Sequence, residues 1–198
     1  MLGTTGNASA QVQNNTLSAN AQVFLATIGP GALVWERFGH NGLWIHDPES
    51  GVDRVYHWGL FDFNSENFWP KFLQGYMEYS IGSVDSQAFF QSNMQSDRDI
   101  WLQEINFNSD QKSALFAFLK ENDSDGNRIY RYDYYLDNCS TRARDALDRV
   151  MGGIIKKASV GKGSGKTFRA NTRRLLQKIP MAYLGIQLGL GHPADDEI

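Results

Sequence analysis

The order of strand-like and helix-like segments limits the fold of this chain more than any other feature of its sequence. Apolar, β-rich runs predict six strands, at residues 21–28, 43–45, 52–58, 79–84, 100–107 and 129–135. Apolar residues at helical spacing predict helices that start near Ser65, Ser86, Ser109, Ser140 and Phe168. These strands and helices do not alternate as regular βαβ units. We therefore predict an α+β fold in which an antiparallel sheet packs against helices.

Length and composition predict one globular domain. The chain has 198 residues, of which 41% are hydrophobic and 21% are charged, and this is enough for one well-filled core. Residues 1–19 are rich in Asn, Ser, Thr, Ala and Gln and predict a flexible leader, so we expect the domain to span residues 20–198. The net charge of −3 argues against a nucleic-acid partner, because phosphate binding needs a basic surface.

Residue patterns alone do not name the compartment. The chain has one cysteine, so no intramolecular disulfide can form. No apolar stretch reaches the roughly 18 residues that a membrane span requires. The first residues lack the basic and apolar regions of a signal peptide. A cytosolic protein and an exported protein whose targeting segment has been removed both fit this start.

Cys139 is the strongest candidate for a catalytic group. It follows an aromatic, strand-like stretch and stands where an amphipathic helix is predicted to begin. Unpaired N–H groups and the helix dipole favour the reactive thiolate at such a position, and Arg142 would add to this effect. His40, at the start of another predicted strand, would complete a pair of nucleophile and base. The alternative is a buried structural cysteine. Independently of that choice, the expected role of Arg142, Arg144 and Asp145 is an ion-pair network around the helix start, and the alternative for Arg142 is anion binding.

Other motifs have simpler explanations. Residues 158–166 predict a flexible linker. The overlapping run 161–167 (GKGSGKT) is not a phosphate-binding loop, because such a loop needs glycine where Val160 stands. No zinc-type spacing joins the histidines to nearby carboxylates, so we predict neither a metal nor another cofactor for the set His40, His46, His57, Asp47, Asp53 and Asp62.

The alternation of Tyr130, Tyr132 and Tyr134 predicts a strand with one aromatic face, and Tyr134 is a candidate for a substrate wall beside Cys139.

Two blocks of residues resemble one known family. Residues 38–43 (FGHNGL) and 55–63 (VYHWGLFDF) form the first block, and residues 137–142 (DNCSTR) with Arg144 and Asp145 form the second. In this order they resemble the Lnb N-terminal periplasmic domain family, over about residues 21–193. The resemblance implies a bacterial protein that faces the periplasm, with its signal segment absent from this chain. Family members continue beyond a similar Gly-His-Pro segment, which implies that the chain is truncated at its C-terminus.

The resemblance also implies a chemistry. Some members are linked to lipoprotein N-acylation, in which a fatty acyl chain passes to the amino group of a lipidated N-terminal cysteine. The order of histidine and cysteine is similar to that of the circularly permuted, papain-like fold of NlpC-type thiol enzymes. By this likeness, Cys139 would attack an acyl ester of a phospholipid at the membrane surface, and His40 would act as base. His57, 17 residues after His40, stands where the family carries Asn and would orient the His40 ring.

Further expectations concern the surroundings of Cys139. Asn138, Arg142 and Asp145 would support the helix start, and an apolar groove would be lined by Trp44, Trp58 and Tyr134. We expect the helix start, Arg142 and an imidazolium at His40 to lower the pKa of the thiol. Two other functions stay open: a thiol hydrolase of cell-wall peptide or amide bonds, and a non-catalytic periplasmic binding module in which Cys139 is only packed.

Overall fold

The computed structural model describes residues 16–61 and 78–198, apart from 178, 190, 191 and 197. Its strands are β1 (Gln22–Ile28), β2 (His40–Asp47), β3 (Val52–Leu60), β4 (Glu78–Asp85), β5 (Ile100–Glu104) and β6 (Ile129–Arg131). They form one antiparallel sheet in the order β5-β1-β2-β3-β4-β6. The α-helices of the described residues are α1 (Ser86–Gln95), α2 (Ser109–Asn122), α3 (Cys139–Val150), α4 (Ile154–Ser159), α5 (Phe168–Leu176) and α6 (Pro180–Gly189). The predicted α+β class and antiparallel sheet are confirmed.

Both faces of the sheet carry helices. On one face, strand side chains pack with α2 and α3 in a core that includes Leu43, Ile45, Trp58, Ile81, Leu115, Leu119, Ala143 and Leu147. On the other face, α1 places Phe89 on Val55. Successive strand residues point to opposite faces, so β3 sends Tyr56 and Trp58 into the first core and turns His57 towards α1.

A buried carboxylate ties the segment before β1 to the end of β2. Asp47 accepts hydrogen bonds from the N–H and the hydroxyl group of Ser18 and from the hydroxyl group of Ser50, each at 2.6 Å. Burial raises the pKa of Asp47, but the hydrogen bonds of Ser18 and Ser50 outweigh it and lower the pKa to about 2. Asp47 is therefore ionised at neutral pH and holds the turn between β2 and β3 in place.

The sixth strand is shorter than predicted. β6 ends at Arg131, so the expected strand through Tyr135 is wrong. The cause is Asp133, whose Oδ1 accepts the N–H groups of Tyr135 at 2.9 Å and Leu136 at 2.8 Å. This side chain closes a turn instead of leaving the backbone free to continue in the sheet.

Other boundaries also differ from the predictions. β5 ends at Glu104, three residues before the predicted end at 107, and α4 continues to Ser159, inside the predicted linker. The helix predicted from Ser65 lies outside the described residues. The division into a leader and one domain stays a prediction.

Candidate active site

Cys139 is the first residue of α3, where the sequence predicts a helix start. The capping residue is Asn138, whose Oδ1 accepts the N–H groups of Ser140 at 2.9 Å and Thr141 at 3.1 Å. The N–H of Arg142 donates to the carbonyl oxygen of Asn138. In contrast to these three N–H groups, the backbone N–H of Cys139 has no hydrogen-bond acceptor among the described residues. An N–H group beside the nucleophile can stabilise the oxyanion of a tetrahedral intermediate.

Two glycines position the histidines on the sheet. His40, the first residue of β2, pairs with Ile28 at the end of β1. Gly39 has a φ of +70°, which favours glycine, and a Cβ there would lie 2.8 Å from the carbonyl oxygen of Ile28. Gly42 stands opposite His57 on β3, and a Cβ on Gly42 would lie 2.8 Å from Cγ1 of Val55 and 3.3 Å from the carbonyl oxygen of Tyr56, the two residues that precede His57. These glycines allow β2 to start at His40 and β3 to bring His57 close to it.

The two histidines share a hydrogen bond. Nε2 of His40 and Nδ1 of His57 are 3.0 Å apart, and the rings are nearly perpendicular, at 86°. This contact occupies Nε2 of His40 and does not involve its Nδ1. When Nε2 of His40 donates the hydrogen bond, Nδ1 carries the lone pair that a general base needs. The family resemblance implies that His57 orients the ring of His40. The structure places the two rings in contact.

Both histidine rings are neutral at pH 7. Burial, the charge of His57 and the charge of Arg98 lower the pKa of His40 to about 3. Burial lowers the pKa of His57 to about 4, against the opposing effect of Asp123. A neutral His40 can accept the proton of the thiol. It is not the imidazolium that we expected beside Cys139, so that part of the sequence-based prediction is wrong.

Asn41 connects the strand of His40 to the helix of Cys139. Its Nδ2 donates to the hydroxyl oxygen of Ser140 at 2.8 Å, and its Oδ1 accepts from the hydroxyl group of Thr27 at 3.0 Å. The sulfur atom of Cys139 lies 4.0 Å from the same Ser140 oxygen. In the described part of the chain this sulfur makes no hydrogen bond with either histidine. Catalytic hydrogen bonds often tighten only when substrate binds.

Cys139, His40 and His57 line one cavity of about 940 Å³, near the upper end of the range for small-molecule sites. Most of its wall is apolar or aromatic and includes Val34, Trp35, Phe38, Leu60, Phe89, Tyr132, Tyr134, Phe168 and Leu175. Tyr134 lies in this wall, and its ring is nearly perpendicular to that of Phe38, with the ring centroids 4.9 Å apart. Asn138 also lines the cavity.

The two tryptophans predicted for the groove lie elsewhere. Trp58 is 1% exposed and belongs to the core beneath α3. Trp44 stacks on Phe24 and donates a hydrogen bond to Asp53. Neither lines the cavity of Cys139, so the predicted groove wall is wrong for both. The pleat explains Trp58, because it follows His57 directly and must point to the opposite face.

Arg142 and Asp145 also face away from the thiol. The guanidinium group of Arg142 donates to both carboxylate oxygens of Asp137, at 2.5 and 2.7 Å, and lies 3.6 Å from the ring centre of Tyr130. Asp145 accepts a 2.7 Å hydrogen bond from Arg144. Arg142 and Asp145 line a separate cavity of about 500 Å³. The ion-pair network is therefore the correct interpretation, and a contact of Arg142 with the thiolate is not.

Sequence reasoning missed the arginine that does lie in the cavity wall. Arg98 follows α1 and lines the cavity together with Glu36 and Asn93. It donates hydrogen bonds to the carbonyl oxygen of Gly29 at 2.9 Å and to Oδ1 of Asn93 at 3.0 Å. No local motif marks this residue, because its position depends on a contact with a loop 69 residues away.

The residues considered for a metal site have other partners. His46 contacts Asp53 at 3.2 Å, and Asp47 is held by Ser18 and Ser50. Over the described ranges, no group of three or more His, Cys, Asp or Glu residues could hold a metal ion. Asp62 lies outside these ranges. Similarly, no helix in the described part of the chain has the length and apolar character of a membrane span.

The fold and the site define an α+β domain with a cysteine and a histidine pair in the wall of a large apolar cavity. The sequence model of the Lnb N-terminal periplasmic domain family matches residues 8–178. The chain belongs to this family, which confirms the predicted family and periplasmic location and points to a lipoprotein-processing protein. No curated protein and no solved structure matches the chain.

Proposed function

We propose that this domain is a cysteine acyltransferase that moves a fatty acyl chain from a phospholipid to the N-terminal amino group of bacterial lipoproteins. The observation that carries the proposal is the position of Cys139. Its thiol stands at a helix N-terminus and shares one large, mainly apolar cavity with the hydrogen-bonded His40 and His57. Such a wall suits an acyl chain, and the thiol and imidazole supply the groups that acyl transfer needs.

In the first half-reaction, the thiol takes the acyl group from the donor. Nδ1 of His40 accepts the thiol proton while the sulfur atom of Cys139 attacks the ester carbonyl carbon, and a C–S bond forms. The N–H of Cys139 stabilises the resulting oxyanion. The ester C–O bond then breaks, and His40 gives its proton to the departing oxygen of the lysophospholipid. His57 holds the His40 ring in the required orientation throughout.

In the second half-reaction, the lipoprotein takes the acyl group from the thioester. The free amino group attacks the thioester carbonyl carbon, and a C–N bond forms while His40 accepts a proton from the nitrogen. The C–S bond then breaks, and the proton returns from His40 to the sulfur atom of Cys139. The products are an N-acylated lipoprotein and the original thiol, so the cycle needs no cofactor.

We also infer the permuted papain-like topology of NlpC-type enzymes. The order of the elements supports it: the histidine strands β2 and β3 precede a cysteine helix that packs on the same antiparallel sheet. A nucleophile at a helix N-terminus opposite a histidine on a neighbouring strand is a recurring arrangement of thiol enzymes.

An exposed apolar rim supports a membrane surface as partner. Leu33 and Trp35, in the loop between β1 and β2, are 48% and 54% exposed, and Val34 and Trp35 line the cavity. Large apolar groups at a cavity entrance favour contact with lipid, and tryptophan is common at membrane interfaces.

A thiol hydrolase of cell-wall peptides would use the same cysteine and histidines. The predominantly apolar wall of the cavity favours an acyl chain over a polar stem peptide, so we rank hydrolysis second. A non-catalytic binding module does not need the thiol beside a histidine pair, and we rank it third.

The test is direct detection of the acyl-thioester. Purified protein is incubated with phospholipid vesicles, and its intact mass is measured before and after treatment with hydroxylamine, which cleaves thioesters. We expect one labile acyl group, assigned to Cys139 because it is the only cysteine in the chain. Addition of a peptide with a diacylglyceryl N-terminal cysteine should transfer that group to the peptide.

Variants separate the alternatives. Cys139→Ala should abolish the adduct and leave the unfolding temperature nearly unchanged, because a small, partly exposed side chain is lost. His40→Ala should be almost as damaging, and His46→Ala, a histidine outside the cavity, should behave like the wild type. Release of stem-peptide fragments from peptidoglycan without an acyl adduct would favour the hydrolase. Absence of both activities, with no iodoacetamide labelling at neutral pH, would favour the binding module.

A further inference from the structure

Arg98 is held in the wall of the catalytic cavity by neutral groups. Its Nε donates to the carbonyl oxygen of Gly29 at 2.9 Å, and its Nη1 donates to Oδ1 of Asn93 at 3.0 Å. Asn93 is itself buried and fixed, because its Nδ2 donates to the carbonyl oxygen of Phe89 at 2.8 Å. The guanidinium group is therefore held in place, although neither of its acceptors carries a negative charge.

This arrangement differs from that of three other arginines in the chain. Arg128, Arg142 and Arg169 each contact a carboxylate within 2.6 Å. Among the described residues, no carboxylate forms an ion pair with Arg98. Glu36 is near enough to affect it electrostatically, but the Oε2 of Glu36 accepts the N–H of Leu33 at 3.1 Å.

Most of the donor capacity of Arg98 is unused. A guanidinium group has five N–H donors, and the hydrogen bonds to Gly29 and Asn93 engage two of them. Nη2 is buried without a hydrogen-bond partner in the described part of the chain. A buried donor without an acceptor is unfavourable, and an oxygen anion that reaches it would remove this cost. Because Nη2 is shielded from water, such an anion must shift the covering side chains, and it then binds in a low-dielectric site.

Arg98 also lies close to the reacting groups. It lines the same cavity as Cys139 and His40. Burial has the largest lowering effect on the pKa of His40, the charge of His57 has the second largest, and the charge of Arg98 has the third. Burial lowers the pKa of Arg98 itself, and the charges of Glu36 and Cys139 oppose that effect. A group bound at Arg98 is therefore a near neighbour of a group that reacts at Cys139.

We propose that Arg98 anchors the phosphodiester group of the acyl donor while the acyl chains lie along the apolar wall and the ester reaches Cys139. The inference rests on the proposed function, because it assigns the donor its binding site. Arginine suits the role, since its planar donors match phosphate oxygens and its charge persists in a buried position. In a phospholipid, the phosphate and the acyl esters share one glycerol unit, which fits a cation and a nucleophile in a single cavity.

The first test compares donors with and without phosphate. Thioester formation is measured for the wild type, Arg98→Gln and Arg98→Lys, with phosphatidylglycerol and with diacylglycerol in the same detergent. We expect Arg98→Gln to raise the KM for phosphatidylglycerol roughly tenfold or more, with a much smaller effect on the reaction with diacylglycerol. Arg98→Lys should be intermediate. Arg149→Gln, in the separate cavity, is the matched control and should match the wild type.

Two outcomes of this comparison would overturn the proposal. An equal loss with both donors would assign Arg98 to the reaction centre or to folding, and a thermal unfolding curve would tell these apart. Wild-type kinetics of Arg98→Gln with both donors would assign Arg98 no role.

A further experiment adds inorganic phosphate to the same reaction. Competition with phosphatidylglycerol in the wild type, lost in Arg98→Gln, supports a phosphate site used by the donor. Binding of inorganic phosphate at Arg98 without any change in the KM for phosphatidylglycerol overturns it.

The second test does not depend on turnover. Binding of soluble dihexanoyl phosphatidylglycerol to Cys139→Ala is measured by calorimetry, with and without Arg98→Gln. Tenfold weaker binding in the double variant supports the anchor even if the wild type forms no thioester, a result that would remove only the proposed function. Equal binding by both proteins overturns the anchor.

Discussion

Asn41 donates a 2.8 Å hydrogen bond to the hydroxyl oxygen of Ser140, and these residues directly follow His40 and Cys139 in the sequence. The bond spans from the start of β2 to the start of α3. Thr27 on β1 donates to the other end of the Asn41 amide. The relative position of His40 and Cys139, the proposed base and nucleophile, therefore depends on side chains to which the proposed mechanism assigns no bond with the substrate.

Removal of this link should slow catalysis without weakening substrate binding. We expect Asn41→Ala to lower kcat by about tenfold, from the loss of one hydrogen bond and the displacement that follows, with little change in KM. Ser140→Ala should give a similar loss, and the double variant should lose little more, because both substitutions break the same contact. Thioester formation rates measure this. Additive losses in the double variant would contradict a shared positioning role.

Substitutions of His57 should separate hydrogen bonding from packing. In His57→Asn the amide oxygen can still accept from Nε2 of His40, so we expect a mild loss of kcat. His57→Leu keeps an apolar group beside Phe89 but offers no acceptor, and we expect a loss of 100-fold or so, typical of a misoriented base. His46→Leu is the control, since His46 contacts Asp53 outside the cavity. Similar rates for both His57 variants would show that the hydrogen bond is not needed.

The pH profile should report the low basicity of His40. Its pKa is about 3, so His40 stays neutral on mild acidification, and kcat/KM should decline on the acid side only as the pH approaches 3 to 4. The neighbouring charge of His57 helps to lower this pKa. In His57→Asn the pKa should therefore rise and the acid limb should move to higher pH. An acid limb near pH 6.5 in the wild type, the value of an unperturbed histidine, would be inconsistent with a buried His40.

Asp47 should contribute to stability at neutral pH. Asp47→Asn removes a charged acceptor from Ser18 and Ser50, and we expect a loss of about 2 kcal/mol in the free energy of unfolding at pH 7. The folded pKa of Asp47, about 2, lies below its ordinary value of 3.8. Its ionised form therefore stabilises the fold fully above pH 3.8, and this contribution disappears as the pH falls through about 2.

Urea unfolding curves of the two proteins measure the difference. Asp125→Asn is the matched control, because the Asp125 side chain is fully exposed, and it should change the midpoint little. A midpoint for Asp47→Asn that equals that of the wild type at pH 7 would show that the buried hydrogen bonds contribute nothing net.

Local signals were sufficient for much of the fold. The start of α3 could be predicted because a capping side chain and an apolar stripe occur within a few residues of Cys139, and both act through neighbours in sequence. The hairpin of β2 and β3 was predictable for the same reason, since its turn residues lie between two β-rich runs. The end of β6 was not, because the side chain of Asp133 competes with the strand for the same N–H groups.

The site was predictable in the residues that are proposed to react and less so in its surroundings. Cys139, His40, His57, Asn138 and Tyr134 line one cavity. The sequence alone could have excluded Trp58 from the cavity wall, since strand periodicity sends its side chain to the face opposite His57. Arg98 could not have been included, because its position depends on Gly29 and on the turn after α1, which only the folded chain brings together.

The contact between Asn41 and Ser140 also has a consequence for biogenesis. The two residues are 99 positions apart, so the chain must close a long loop before Cys139 and His40 line one cavity. Closure of such a loop is entropically costly and belongs to the slower steps of folding. A chain that has not yet folded therefore carries Cys139 without the histidines that share its cavity. In the proposed mechanism, acyl transfer becomes possible only when the sheet and α3 have docked, so activity would mark completion of the fold.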